Sequence, residues 1–148
     1  MGTFTIANLK KRLSKKKKAE LIQEISTLCQ KFPQVKEYFK AQEGDAGDVI
    51  RKYKDIIERE FVDGKTRSMF PKARLSVARK AVNDFKKLSK DPDLVADLML
   101  TYVESVSLFC DDFLPDTETL YVASEKMFED ALKLLQQHDL LEKFEPRA

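Results

Sequence analysis

The strongest constraint on this chain is where its helix breakers stand. Apart from Gly2, glycine and proline are confined to Pro33, Gly44 with Gly47, Gly64 through Pro71, Pro92, Pro115 and Pro146. Between these points apolar residues recur at i, i+3/i+4 and i+7, the period of one buried helical face. No segment alternates with the period of two that a half-buried strand requires. The chain therefore reads as all-α.

The spacing predicts a short helix over Ile6 to Leu13. A second runs from Ser14 to Phe32, with Leu21, Ile22, Ile25, Leu28, Cys29 and Phe32 on one side and Ser14 as N-cap. Pro33 suits the first turn of a third helix that should end by Gly44. Val49, Ile50, Tyr53, Ile56, Ile57 and Phe61 mark a helix over about 48–61, and 62–71 reads as the longest loop. A helix over about 72–88 carries Leu75, Ala78, Val82 and Phe85. After Pro92, the apolar residues from Leu94 to Cys110 cover more than half the helical circumference, which predicts the central element. A last long helix follows from Thr117, a possible cap, to about His138, and Leu140, Leu141 and Phe144 should fold back on the body.

The expected architecture is a compact bundle of antiparallel helical hairpins, with five or six main helices in a single domain over residues 1–148. A short two-layer helical solenoid is the alternative. The one internal echo, Leu13-Ser14-Lys15 against Leu88-Ser89-Lys90, has apolar residues at different offsets downstream and defines no repeat. With 148 residues, folding can remove roughly 70% of the unfolded chain's surface from water, so no disulfide or metal staple is needed.

Composition excludes several function classes. One His and two distant Cys cannot build a Cys/His zinc site, and the four Gly form no phosphate-binding fingerprint. The longest run free of Asp, Glu, Lys and Arg is Met1 to Leu9, far short of the ~20 apolar residues that span a bilayer. Lys10, Lys11 and Arg12 follow that run, whereas a secretory signal places its positive charge first. Cys29 and Cys110 lie on apolar faces as reduced thiols. A cytoplasmic protein without a membrane partner is expected.

The charge layout is the most distinctive feature. Residues 1–40 hold ten Lys/Arg against three Glu, and 62–90 hold nine against two acidic residues. Residues 91–148 reverse this, with four basic residues and fourteen acidic ones, so a net charge of +2 conceals strongly opposed segments. One basic stripe is defined by helical spacing: Lys72, Ser76, Arg79, Asn83, Lys86 and Lys90, turned away from Leu75, Ala78, Val82 and Phe85. Lys72, Arg79, Asn83, Lys86 and Lys90 form the candidate binding face, suited to phosphates or other anions. Its plain alternative is a solvated cationic helix surface. The run Lys15 to Lys18 would oppose the helix macrodipole in a first turn, with Glu20 and Glu24 in reach as partners.

No catalytic, cofactor or metal set is assigned. Asp111, Asp112, Asp116 and Glu118 lack the spacing of a calcium loop and suit capping and turn roles. His138, beside Asp139 near a helix end, has no marked nucleophile to serve. Phe4, Met69 and Phe70 fall outside the periodic patterns and read as loop anchors or a partner patch.

Several strings carry a family resemblance. They are Leu13-Ser14-Lys15 with Glu20-Leu21-Ile22, Lys31-Phe32-Pro33, Phe70-Pro71-Lys72, Asp91-Pro92 followed by Leu94-Val95-Ala96-Asp97-Leu98-Met99, and Met127-Phe128-Glu129. Over nearly its whole length the chain resembles an uncharacterised bacterial family of small all-helical proteins, a domain of unknown function. The resemblance implies one bacterial helical domain and transfers no activity. The expected role is a non-catalytic cytoplasmic protein-interaction module. Nucleic-acid binding through the basic helix face is the alternative, and a hydrolase using unpaired carboxylates in a cleft near Asp111 or Glu104 is a third.

Overall fold

A computed structural model of the chain describes residues 3–43, 46–63, 73–113 and 118–147, with backbone only for Asp63, Asp112 and Phe113. The described residues form eight helices and no strand: α1 (Ile6–Ser14), α2 (Lys18–Lys31), α3 (Pro33–Gln42), α4 (Ala46–Glu58), α5 (Leu75–Leu88), α6 (Pro92–Phe113), α7 (Glu118–Gln137) and α8 (Leu141–Phe144). A π-helical turn, Arg59–Asp63, extends α4. The all-α fold follows from the breaker pattern. The helix count exceeds the expected five or six main helices because α1 and α8 are short additional pieces. Met69, Phe70 and Thr117 lie outside the described residues, as do Lys72 and Asp116. The chain divides into two compact units, Met1–Phe39 and Lys40–Ala148.

In the first unit Thr5 caps α1, its hydroxyl accepting from the Asn8 amide at 3.1 Å. Ser14 does not cap α2 as its position suggested. It is the last residue of α1, where its hydroxyl donates to the Lys11 carbonyl at 2.7 Å. Lys15 to Lys17 therefore precede α2 rather than crowd its first turn, which relieves most of the expected conflict with the macrodipole. Glu24 of α2 takes Lys16 at 2.6 Å and Arg12 at 3.9 Å. The hydrogen bond from Lys16 holds its carboxyl below the usual range.

In the second unit α6 is the centre. Ala96, Leu98, Leu100, Tyr102 and Val106 are almost completely buried, and α4, α5, α7 and the π-helical turn all pack against α6. Leu94 to Cys110 cover most of the helix circumference, so α6 cannot satisfy its side chains on one neighbour alone. The π-helical turn lets Phe61 reach this core after Ile57. Its ring stands edge-on to Tyr102 and Phe109, with centroids 6.5 and 6.1 Å away. Tyr53 of α4 meets Phe85 of α5 at 5.7 Å. Cys110 is buried as expected, whereas Cys29 is only half-buried, since no residue of α2 is fully removed from solvent.

Two polar devices set the position of α5 and the C-terminal segment. Buried Glu60 receives the Arg74 backbone amide at 3.1 Å and the Arg74 guanidinium at 2.6 Å, placing a carboxylate at the start of α5. Ala73, in the left-handed region at φ 53°, donates to the Glu60 carbonyl at 2.8 Å just before it. At the other end, Phe144 of α8 is buried, and Arg147 reaches Asp97 and Glu104 on α6. Lys143 pairs with Asp93. Burial alone would raise the Asp97 carboxyl, but hydrogen bonds from Lys54 and Arg147, together with their charges, hold it below its ordinary value.

Two expectations follow. Leu98→Ala should cost about 2–5 kcal/mol in urea unfolding, whereas Ile25→Ala on exposed α2 should cost less than about 0.5 kcal/mol. Because the folded Asp97 carboxyl titrates low, its contribution is present above the unfolded value of about 4 and is lost as pH falls through the folded value. The stability gap between the wild type and Asp97→Asn should therefore be constant near neutrality and narrow on acidification below about pH 4–5.

Candidate anion-binding groove

The buried face of α5 rests on the core through Ala78, Ala81, Val82 and Phe85. Helical periodicity then turns Arg79, Asn83 and Lys86 outward, and all three are exposed. α7 is fixed beside them by Leu120, Ala131 and Leu135, which are buried in the same core. This geometry leaves a trough between α5 and α7, with α6 beneath it.

Two adjoining hollows form the trough. The first, about 380 Å3, has Arg79, Asn83 and Lys86 on one wall and Lys126, Met127 and Asp130 on the other. Tyr102 lies at its base, where the positive charge of Arg79 acts on its hydroxyl. Burial pushes the Tyr102 phenol up, and Arg79 only partly offsets this, so the hydroxyl stays protonated at neutral pH. The second hollow, about 360 Å3, continues past Lys86 and Asp130. Lys90, Lys133 and His138 line its rim, above an apolar floor of Pro92, Val95, Met99 and Leu134.

The groove thus gathers Arg79, Lys86, Lys90, Lys126 and Lys133 around a single carboxylate, Asp130. Among the described residues none of these five cations has a carboxylate within ion-pair distance. Elsewhere in the same unit Lys54, Arg51, Lys80 and Arg147 all do. Uncompensated positive charge over low-dielectric walls attracts anions, since the walls focus the field into the cleft. The groove offers ammonium and guanidinium donors, an amide and an apolar floor. Among the described residues, no group of three or more His, Cys, Asp and Glu is placed to hold a metal ion.

Four of the five residues of the sequence-derived face, Arg79, Asn83, Lys86 and Lys90, come together in this trough. Lys72 lies outside the described residues. Lys90 is not on α5, which ends at Leu88, but in the short connection to α6, and it still reaches the second hollow. Sequence reasoning missed the opposite wall. Lys126, Asp130, Lys133 and Gln137 form an i, i+4, i+7, i+11 stripe that could have revealed it. The strong acidic excess of residues 91–148 masked that stripe. Cations from the acidic segment, Lys126 and Lys133, thus complete the basic site.

The exposed acidic residues near the other end of α6 and α7 enclose a smaller hollow of about 180 Å3 lined by Cys110, Asp111, Tyr121 and Glu125. Burial raises the Cys110 thiol, which stays protonated. This arrangement activates no nucleophile. Asp112 and Asp116, from the acidic stretch read in the sequence, contribute no described side chain. No helix among the described residues is long and apolar enough to cross a membrane.

Tyr102→Phe keeps the ring that packs on Phe61 and removes only the hydroxyl at the base of the groove, so it should change urea stability by about 1 kcal/mol or less with unchanged helicity.

Comparison with known proteins adds a family and no activity. No curated protein and no solved structure matches the chain. A family model described as "Family of unknown function (DUF6155)" matches residues 5–148, and the chain belongs to that family.

Proposed function

We propose that this chain is a non-catalytic helical interaction module that holds an acidic segment of a partner protein in the groove between α5 and α7. The observation that carries this reading is the set of five cations without carboxylate partners among the described residues, lining two continuous hollows with an apolar floor. A strand of acidic residues would neutralise the rim, while one or two apolar side chains would cover Val95, Met99 and Leu134. A cytoplasmic setting accords with two free cysteines, and bacterial origin accords with the family resemblance.

Nucleic acid fits the same charge less well. Asp130 at the junction of the two hollows repels a continuous phosphate track. The groove's aromatic residue, Tyr102, is almost fully buried and offers no face on which a base can stack. An apolar floor also has no role against a phosphodiester backbone.

Fluorescence anisotropy distinguishes the two. A labelled peptide of alternating Glu and Leu should bind the full chain at low salt and weaken as salt rises. Lys86→Glu with Lys133→Glu should weaken it by roughly tenfold or more. Binding of labelled duplex DNA with a steeper salt dependence, and no peptide binding, would favour the nucleic-acid alternative. Absence of both complexes at low salt would end the groove reading.

A further inference from the structure

We infer that the first unit, Met1–Phe39, carries a second and separate binding surface, one that lies on an anionic lipid bilayer. Three observations on that unit support it. No residue of α1, α2 or α3 is fully buried, and the best covered apolar side chains, such as Leu13, Leu21, Cys29 and Phe39, are only half-buried. Phe4, Ile6, Ile22 and Phe32 are 73, 60, 57 and 51% exposed, and Ile25 and Leu28 are also exposed. Lys10, Lys11, Arg12 and Lys15 through Lys18 put seven cations between these apolar groups, and no acidic residue precedes Glu20.

On α2 the residues Leu21, Ile22, Ile25, Leu28, Cys29 and Phe32 fall within an arc of about 120° at 100° per residue, the apolar stripe of an amphipathic helix, and Ile22, Ile25, Leu28 and Phe32 of that stripe are exposed. Among the described residues, Lys10, Lys11, Lys15, Lys17 and Lys18 have no carboxylate within ion-pair distance. Arg12 and Lys16 share Glu24. The surface therefore needs an occupant that takes both aliphatic side chains and uncompensated positive charge.

A bilayer bearing acidic headgroups supplies both at once. Exposed Ile and Phe enter the boundary below the headgroups, while lysine stems run along the apolar layer and leave their ammonium groups at lipid phosphates. Six of the seven cations are lysines. Lysine acts as a compact point charge suited to a fluid charged surface. Nucleic acid offers phosphates but nothing to cover Ile22, Ile25 or Phe32. The sequence expectation of no membrane partner rested on the lack of a spanning segment, and no described helix spans. A helix lying on a surface requires none.

The chain contains no Trp, so Phe32→Trp provides a lone indole reporter at this face. With vesicles of phosphatidylcholine containing about 30% phosphatidylglycerol, its emission should shift to the blue and the protein should co-sediment. Phosphatidylcholine vesicles alone should give neither result. Lys15→Glu with Lys17→Glu, and separately Ile22→Asp with Ile25→Asp, should each weaken partitioning by roughly tenfold or more. Lys86→Glu with Lys133→Glu in the groove should leave it unchanged, which separates this surface from the proposed peptide site. The inference fails if anionic vesicles produce no shift and no co-sedimentation. It also fails if the Ile22→Asp/Ile25→Asp variant binds them as well as the parent, or if the parent prefers duplex DNA and keeps that preference in this variant.

Discussion

The second unit depends on the burial of α6. A helix apolar around more than half its circumference has no stable arrangement unless other elements surround it, since each side chain left in water forfeits on the order of 1.5–3 kcal/mol. α4, α5, α7 and the π-helical turn meet that demand from different sides. The turn is needed because Phe61 must pack edge-on between Tyr102 and Phe109, and an uninterrupted helix would present its residues at another angle. Ion pairs then fix what packing leaves free. Glu60 and Arg74 set the start of α5, while Asp97 joins Lys54 of α4 to Arg147 beyond α8.

The groove is a consequence of this enclosure. α5 and α7 each bury one stripe against α6 and must turn the adjoining polar stripe outward along the seam they share. Arg79, Asn83 and Lys86 come from one helix and Lys126 and Lys133 from the other, so a cationic trough arises from two polar flanks that neither helix could form alone. α6 supplies the floor with Tyr102, Met99 and Val95. Tyr102 thus joins core to site: its ring is packed against Phe61, and it also lines the groove beside Arg79.

Much of this was legible from spacing. The central place of α6 follows from its apolar coverage, and the outward direction of Arg79, Asn83 and Lys86 follows from their phase against Ala78, Val82 and Phe85. Other features depend on contacts far apart in sequence. Ser14 looked like an N-cap because the residue type and position were suitable, but its hydroxyl found a closer partner in the preceding turn. The π-helical turn has no periodic signature of its own. The α7 wall was hidden because net charge summed over 58 residues says nothing about which few lysines share one flank. On α2 the periodicity was correct, but periodicity tells which residues share a face and not what covers that face. Ile22, Ile25, Leu28 and Phe32 remain exposed there, and Leu21 and Cys29 are half-buried.

Amide hydrogen exchange tests the organising role of α6 most directly. Amides from Leu98 to Val106 should exchange slowest in the chain, only through global opening, with α5 and α7 next and α1 and α2 fastest. If α6 amides exchanged as quickly as those of α1 and α2, its burial would not organise the second unit. The groove would then lose the support on which its geometry depends.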